Sequence, residues 1–417
     1  MNVLIKSATI IDTKSDFHNK KVDVLVEKGF ISNIASRIKN PKKYREINLD
    51  NLHISQGWFD SSVSFGEPGY EERETIANGL ETAAKSGFTA VAVNPNTNPV
   101  ISTNTDVTFL KSKADKHAVD LYPIGALTMD SDGKHLAELY DMHNAGAVAF
   151  GDYQKPISNP NLMKIALQYA SNFDALVCSF PQDNNIAGQG VMNENVTSTS
   201  NGLKGIPSLS EELQIARDLF LLEYTGGKLH IPTISTAKSV ELVRTAKKQK
   251  LDVSCSVAIH NLIFTDKNLE GFNTNFKVSP PLRTQDDINA LIIGLKDGTI
   301  DMVTSDHNPL DIELKKIEFD FASCGTTGLE SAFGALNTIF TTKTTINILT
   351  KGKERFGIEA SPINIGNTLN ITLFNPELKY DFSRKDIISK SKNAIFDTHS
   401  LKGKPYGIIS NGKLILK

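Results

Sequence analysis

Cysteine is scarce in this chain of 417 residues: Cys178, Cys255 and Cys324 are odd in number and far apart. That speaks against a disulfide framework and fits a reducing compartment. Histidine is also sparse, at nine, and the formal net charge is only -2. No block of like charge marks a tail for nucleic acid or a membrane surface, and no apolar stretch approaches the length of a membrane span. The first residues, "MNVLIKSATIIDTK", lack a basic start, a long apolar run and a small-residue cleavage site, so they read as a β-strand and not as a signal peptide. The expectation is a cytoplasmic protein with no nucleic-acid and no membrane partner.

What is present suits a large domain plus a minor one. The first fifty residues or so alternate short β patterns with turns, "VLIKSATIID", "VDVLVEKG" and "ISNIASRI". The last fifty do likewise, with "LNITLFNP" and "GIISNGKLILK", where "NG" marks a turn between β-branched runs. Residues 1–52 and 365–417 are therefore expected to pair in one composite small β-domain, with 53–364 as the other domain. In that middle part, apolar strands alternate with helical stretches, the pattern of a parallel sheet closed by crossover helices. The strand candidates are 53–59, 88–93, 119–125, 146–150, 175–180, 228–234, 252–257 and 300–305. Eight is the strand number of a (β/α)8 TIM barrel, an α/β fold. The segment 182–207 is long, polar and rich in Asn, Ser and Gly, which predicts an extended loop over one barrel end.

Such a barrel places its chemistry at the carboxyl ends of its strands. The residues there are Asp60 to Ser64, Asn94 to Thr97, Gly151 to Tyr153, Phe180 to Asp183, Thr233 to Thr236, His260 with Asn261, and "SDHNP" at 305–309. Only two histidines, His260 and His307, fall in that set. The acids Glu67, Glu71 and Glu72 read as a helix N-terminal cluster favoured by the dipole, and His230, inside an apolar strand, reads as a core histidine.

The runs "EPGYEERETIANGLETAAKSGFTAV", "NPNTNP", "GAVAF", "GIPSLSEELQIARDL", "NFKVSPPLR", "SDHNP" and "GLESAF" together resemble the dihydroorotase family of the amidohydrolase superfamily. The resemblance runs through almost the whole chain. It implies a (β/α)8 barrel with a small β-domain built from both chain ends, and a zinc-dependent hydrolysis of a cyclic amide. It also implies metal ligands at set positions: an HxH pair that falls on Ser62 and Ser64, a fifth-strand histidine on Phe180 and a sixth-strand histidine on Thr233. The bridging carboxylate matches the run from Gly151 to Gln154 and leaves Asp152, and the eighth-strand Asp is kept as Asp306. The substrate-binding Arg position holds Gly66, an Asn position holds Ser279, and the final His of the family's eighth-strand run is Leu310.

Zinc takes imidazole, thiolate or carboxylate, and a catalytic ion needs about three such ligands. Hydroxyls and a phenyl ring do not supply them, so the expectation is that no cofactor is held and that the metal-dependent chemistry is lost. The leading expectation is accordingly a dihydroorotase-like pseudoenzyme of pyrimidine biosynthesis, a structural partner of aspartate transcarbamoylase and a homo-oligomer. The alternative is an active cyclic-amide hydrolase with an atypical site, in which Asp306 is the general base and His260 or His307 assists. A further alternative is a barrel that binds a dihydroorotate-like small molecule through Asn96, His260, Ser279 and His307.

Overall fold

The computed structural model describes all 417 residues. Eight parallel strands run in the order Trp58–Val63, Phe88–Val93, Asp120–Gly125, Ala149–Phe150, Leu176–Cys178, Lys228–Ile231, Val253–Ala258 and Met302–Thr304. This is the α/β barrel expected from the alternation of strands and helices. Phe88–Val93 reproduces its candidate residue for residue. It is buried throughout, as a strand covered on both faces must be.

The candidate strand 53–59 divides in two. His53–Gln56 belongs to a separate sheet and Trp58–Val63 to the barrel. The break falls at Gly57, where a Cβ would stand 2.0 Å from Thr89 Oγ1, so only glycine lets the chain pass there. Asp60 to Val63 are consequently strand and not loop.

The other sheet is built by both chain ends, in the order Lys413–Leu416, Ser400–Ser410, Ile371–Asp381, His53–Gln56, Val3–Ile10, Lys21–Glu27 and Phe30–Ala35, with Arg45–Ile47 alongside Val3–Ile10. Its apolar face forms its own cluster around Ile5, Val24, Ile54 and Leu373. Trp58 joins sheet to barrel: fully buried, it stacks on Phe333 at 4.6 Å and meets Phe374 of the sheet at 5.6 Å. Its indole N–H donates to Ser55 Oγ at 3.0 Å, satisfying the one polar atom of the ring.

The crossover helices begin on side-chain caps. Thr75 precedes Ile76–Lys85, Asn159 precedes Pro160–Ser171 with proline at its first position, and Thr284 forms a capping box with Asp287 ahead of Gln285–Lys296. The amino-terminal end of the barrel is plugged by Phe59, Met302, Phe356 and Ile358. The ring closes where the first and eighth strands meet. There the Asp60 carboxylate accepts from Thr304 Oγ1 at 2.5 Å and Ser305 N at 2.9 Å, and Val63 bridges to His307. No helix is long and apolar enough to cross a membrane.

The segment 182–207 is shorter in open loop than its composition predicts. It carries two short helices, Asn184–Ala187 and Val196–Ser200, and a parallel pair, Met192–Asn193 with Gly205–Ile206. Buried Arg283 donates to Asn193 Oδ1 at 2.8 Å and Ile206 O at 2.9 Å, and Asp266 accepts from Asn193 and Asn195. These contacts pin the segment to the barrel.

Candidate active site

At the carboxyl end of the barrel a small cavity is lined by Ser61, Ser62, Asn94, Asp152, Tyr153, Gln154, Phe180, His230 and Thr233, among others. Four of the positions singled out by the family resemblance, Ser62, Asp152, Phe180 and Thr233, therefore surround one space. Asp306 lies directly behind the wall, and its Oδ1 accepts from Ser62 Oγ at 3.2 Å and from Tyr153 Oη at 3.0 Å. Asn94 Nδ2 donates to Ser62 Oγ at 3.0 Å and to Ser64 Oγ at 3.3 Å, which ties the first, second and eighth strands into one hydroxyl network.

Burial dominates the electrostatics. Asp306 is 4% exposed, and the loss of water pushes its carboxyl up to about 7, although the Tyr153 and Ser62 hydroxyls oppose that rise. Burial likewise raises Asp152, whose carboxylate is occupied by Leu127 N at 2.9 Å, Thr128 N at 3.1 Å and the Thr128 hydroxyl. Tyr153 is held well above the ordinary phenol range, first by burial and then by the Asp306 charge. His230, which also lines the cavity, is driven down to about 3 by burial and so is neutral. Its Nδ1 pairs with Ser254 Oγ at 2.8 Å.

Two of the cavity's key residues sit in the left-handed region, Asp306 at φ 46 and Thr233 at φ 51. Asp tolerates that conformation, whereas for a β-branched Thr it is a genuine outlier. Such backbone strain concentrates at functional sites.

Other residues named from the sequence lie elsewhere. His307 is fully buried and faces away from the cavity. Its Nδ1 accepts from Gly328 N at 3.1 Å, so the ring proton is on Nε2, 2.7 Å from Glu74 Oε2. It clamps the 305–309 turn to the start of two helices and is not placed to assist a base. His260 is also sealed, with neither ring nitrogen partnered, and burial lowers it to about 3. Asn96 keeps a buried Oδ1 without a partner but does not line the cavity. Ser279 contributes its carbonyl, which accepts from Gln154 Nε2 at 3.1 Å. Tyr153, Gln154 and Thr128 had no role assigned from the sequence. Their contacts with Asp306, Ser279 and Asp152 depend on loops meeting across the barrel mouth, and no local pattern announces them.

The architecture, a parallel barrel with a flanking sheet from both chain ends, is shared with solved hydantoinase structures. L-hydantoinase (dihydropyrimidinase) from Arthrobacter aurescens superposes with a TM-score of 0.86 at 20% identity, covering 100% of this chain and 96% of that one. D-hydantoinase (dihydropyrimidinase) from a Thermus species gives 0.84 at 20% identity, with 100% and 95% covered. At that identity the likeness is one of fold.

Sequence relatives are more specific. A family model described as Dihydro-orotase-like matches residues 53–239. The dihydroorotase of Pelotomaculum thermopropionicum is 39% identical over 100% of this chain and 99% of its own length. That of Ruminiclostridium cellulolyticum is 37% identical over the same shares. The chain belongs to the dihydroorotase family.

These relatives correct two expectations. The reading as a pseudoenzyme with only a structural role is overturned by full-length identity to curated dihydroorotases, which favours the alternative of an active cyclic-amide hydrolase. That expectation rested on a handful of site positions, Ser62, Ser64, Phe180 and Thr233 with Gly66, Ser279 and Leu310, whereas the identity extends over the whole chain. The expectation that no cofactor is held is overturned on the same ground, since it conflicts with the zinc that resemblance to this family implies.

The residues at the family ligand positions nevertheless do not fit a zinc ion. Ser62 and Ser64 share their hydroxyls with Asn94, Phe180 has no donor, and Asp152 is saturated by Leu127 and Thr128. No cluster of three or more His, Cys, Asp or Glu side chains suited to a metal ion forms.

Proposed function

We propose that this protein is a cyclic-amide hydrolase that opens a ring C–N amide bond, with dihydroorotate as the first substrate to test. The observation that carries the proposal is Asp306, a buried carboxyl held near neutrality and linked to the cavity by two hydroxyls. A general base works best when its pKa lies near the operating pH. In this reading a water adds to the ring carbonyl carbon while its proton passes through Ser62 Oγ to Asp306. The C–N bond then breaks and the proton returns to the ring nitrogen, so that one water is consumed and no charge is left on the base. Asn94 Nδ2 orients the Ser62 hydroxyl.

The test is ring opening and the reverse ring closure, followed in ultraviolet absorbance with dihydroorotate, dihydrouracil and hydantoin, in metal-free and zinc-loaded preparations. We expect turnover that rises with pH through about 7 and falls at least ~100-fold in Asp306→Asn. Absence of turnover with all three substrates in both preparations sinks the reading.

The same proposal covers a cytoplasmic location, the division into 1–52 with 365–417 and 53–364, and association with aspartate transcarbamoylase, which co-purification tests. It also includes a homo-oligomer. Leu209, Leu213, Phe220 and Tyr224 stand exposed along the helix Ser208–Thr225 in an order symmetric about its middle. An antiparallel second copy sets Leu209 against the partner's Tyr224 and Leu213 against the partner's Phe220, the self-complementarity that a two-fold interface requires. Sedimentation of Phe220→Glu as a monomer, against a larger wild type, is the expected result.

A further inference from the structure

On the opposite side of the barrel, a second, open cavity lies between the helix Thr342–Arg355 and the segment around Ile11 to Lys14. Four lysines line it: Lys14, Lys343, Lys351 and Lys353. None of the four ammonium groups has a hydrogen-bond or ion-pair partner, although lysines elsewhere in the molecule commonly do, as Lys6, Lys247 and Lys404 show. Three of them are exposed on the rim, but Lys353 is only 4% exposed.

Lys353 is covered along its stem while its ammonium still reaches the solvent of the cavity, so the cation is only partly hydrated and that costs free energy. Lys353 records that cost: burial brings its ammonium down to about 8, and the charge of Asp120 only partly offsets the fall. Two acids share the cavity wall, and neither relieves it. Asp12 is already engaged by Lys14 N, Gln56 Nε2 and Ile363 N, and Glu354 is exposed. The wall thus holds four cations against two acids, one of them internally committed.

The geometry points to a binding site for a small polyanion carrying a diphosphate group, seated between the helix Thr342–Arg355 and the small sheet with Lys353 at its floor. Lysine acts on phosphate as a point charge, and several around one concavity attract a doubly or triply charged ligand more strongly than any of them alone. Ile11, Ile346 and Ile358 line the same cavity and offer an apolar wall to a nucleoside attached to the diphosphate. The site lies at the amino-terminal end of the strands, across the barrel from Asp306, and does not depend on the reaction proposed there.

The experiment is titration calorimetry of the full chain at low ionic strength with inorganic pyrophosphate and, separately, with ADP. The proteins compared are wild type, Lys353→Met, and the rim double variant Lys343→Gln with Lys351→Gln. We expect saturable binding to the wild type that weakens about tenfold or more in each variant and falls with added salt. Tighter binding of ADP than of pyrophosphate places the nucleoside on the apolar wall, and equal binding assigns the site to the diphosphate alone; either result supports the site. Lack of binding of both probes overturns it, as does wild-type affinity in both variants. Should Lys353→Met fail to fold, the exposed rim variant decides the matter.

Discussion

The two mouths of this barrel bury opposite charges and treat them differently. At the carboxyl mouth Asp306 is covered by Ser62 and Tyr153, and the neighbouring Asp60 and Asp152 each accept several hydrogen bonds. At the amino mouth Lys353 is as deeply covered, at 4% exposure for both residues, yet has no partner. Burial moves both groups toward neutrality, Asp306 up to about 7 and Lys353 down to about 8. The difference lies in what surrounds them. A satisfied acid is held in one geometry and suits proton transfer, whereas an unsatisfied cation is a standing attraction for an anion.

The largest effect that tests this contrast belongs to Asp306→Asn. The carboxyl goes from 3.8 in its ordinary state to about 7 in the fold. Between those values the unfolded chain has released a proton that the folded chain still holds. Stability is therefore intact below about pH 4, declines as pH rises, and is lost in full above 7. Three units correspond to up to about 4 kcal/mol. The variant cannot ionise and should be more stable than wild type by up to that amount at pH 8, with the difference vanishing at pH 4. Urea unfolding at the two pH values measures it. A stabilised variant that has lost activity is the usual trade at a site built for function, and no stability difference at pH 8 would show that Asp306 is better solvated than its burial implies.

Lys353→Met should show the mirror image. Its ammonium goes from 10.5 to about 8 on folding, so here the unfolded chain holds the proton that the folded chain gives up. Its contribution is intact above about 10.5 and lost as pH falls through 8. Methionine keeps the length without the charge and should stabilise the fold by roughly 3 kcal/mol at pH 7, with little effect near pH 10.5. Saturating pyrophosphate should narrow that gap by stabilising the wild type more than the variant, which binds it more weakly. If Asp306→Asn keeps its gain at pH 4, or Lys353→Met keeps its gain near pH 10.5, the contrast between the two mouths is wrong.

How far these features were legible in the sequence depended on distance along the chain. Phe88–Val93 was readable because this buried parallel strand is apolar at every position but Thr89. The family resemblance brought Ser62, Asp152, Phe180 and Thr233 to one cavity without any geometry being known. By contrast, the Asp60 to Thr304 closure spans 244 residues and the Tyr153 to Asp306 bond spans 153. Neither partner carries a local mark of the other. His307 was rightly placed at a strand end, but the direction of its ring follows from Glu74 and Gly328, and sequence proximity to the mouth did not disclose it. The break at Gly57 was missed because its cause is the approach of Thr89 from the next strand.

The finest distinction concerns what the hydroxyls do for Asp306, and Tyr153→Phe isolates it. The phenol donates to Oδ1 at 3.0 Å and favours the ionised carboxylate, opposing the upward push of burial. A hydrogen bond to a charged acceptor is worth about 1.5 kcal/mol, close to one pKa unit. Removing it without changing the ring's volume should raise the Asp306 midpoint by roughly a unit, visible as an alkaline shift of the pH profile with little change in the rate once the base is ionised. Ser62→Ala removes a longer bond, at 3.2 Å, and also the hydroxyl through which the proton is proposed to pass. It should therefore lower the plateau rate, whereas Tyr153→Phe moves only the midpoint. Identical behaviour of the two variants would mean that Ser62 tunes Asp306 and carries no proton.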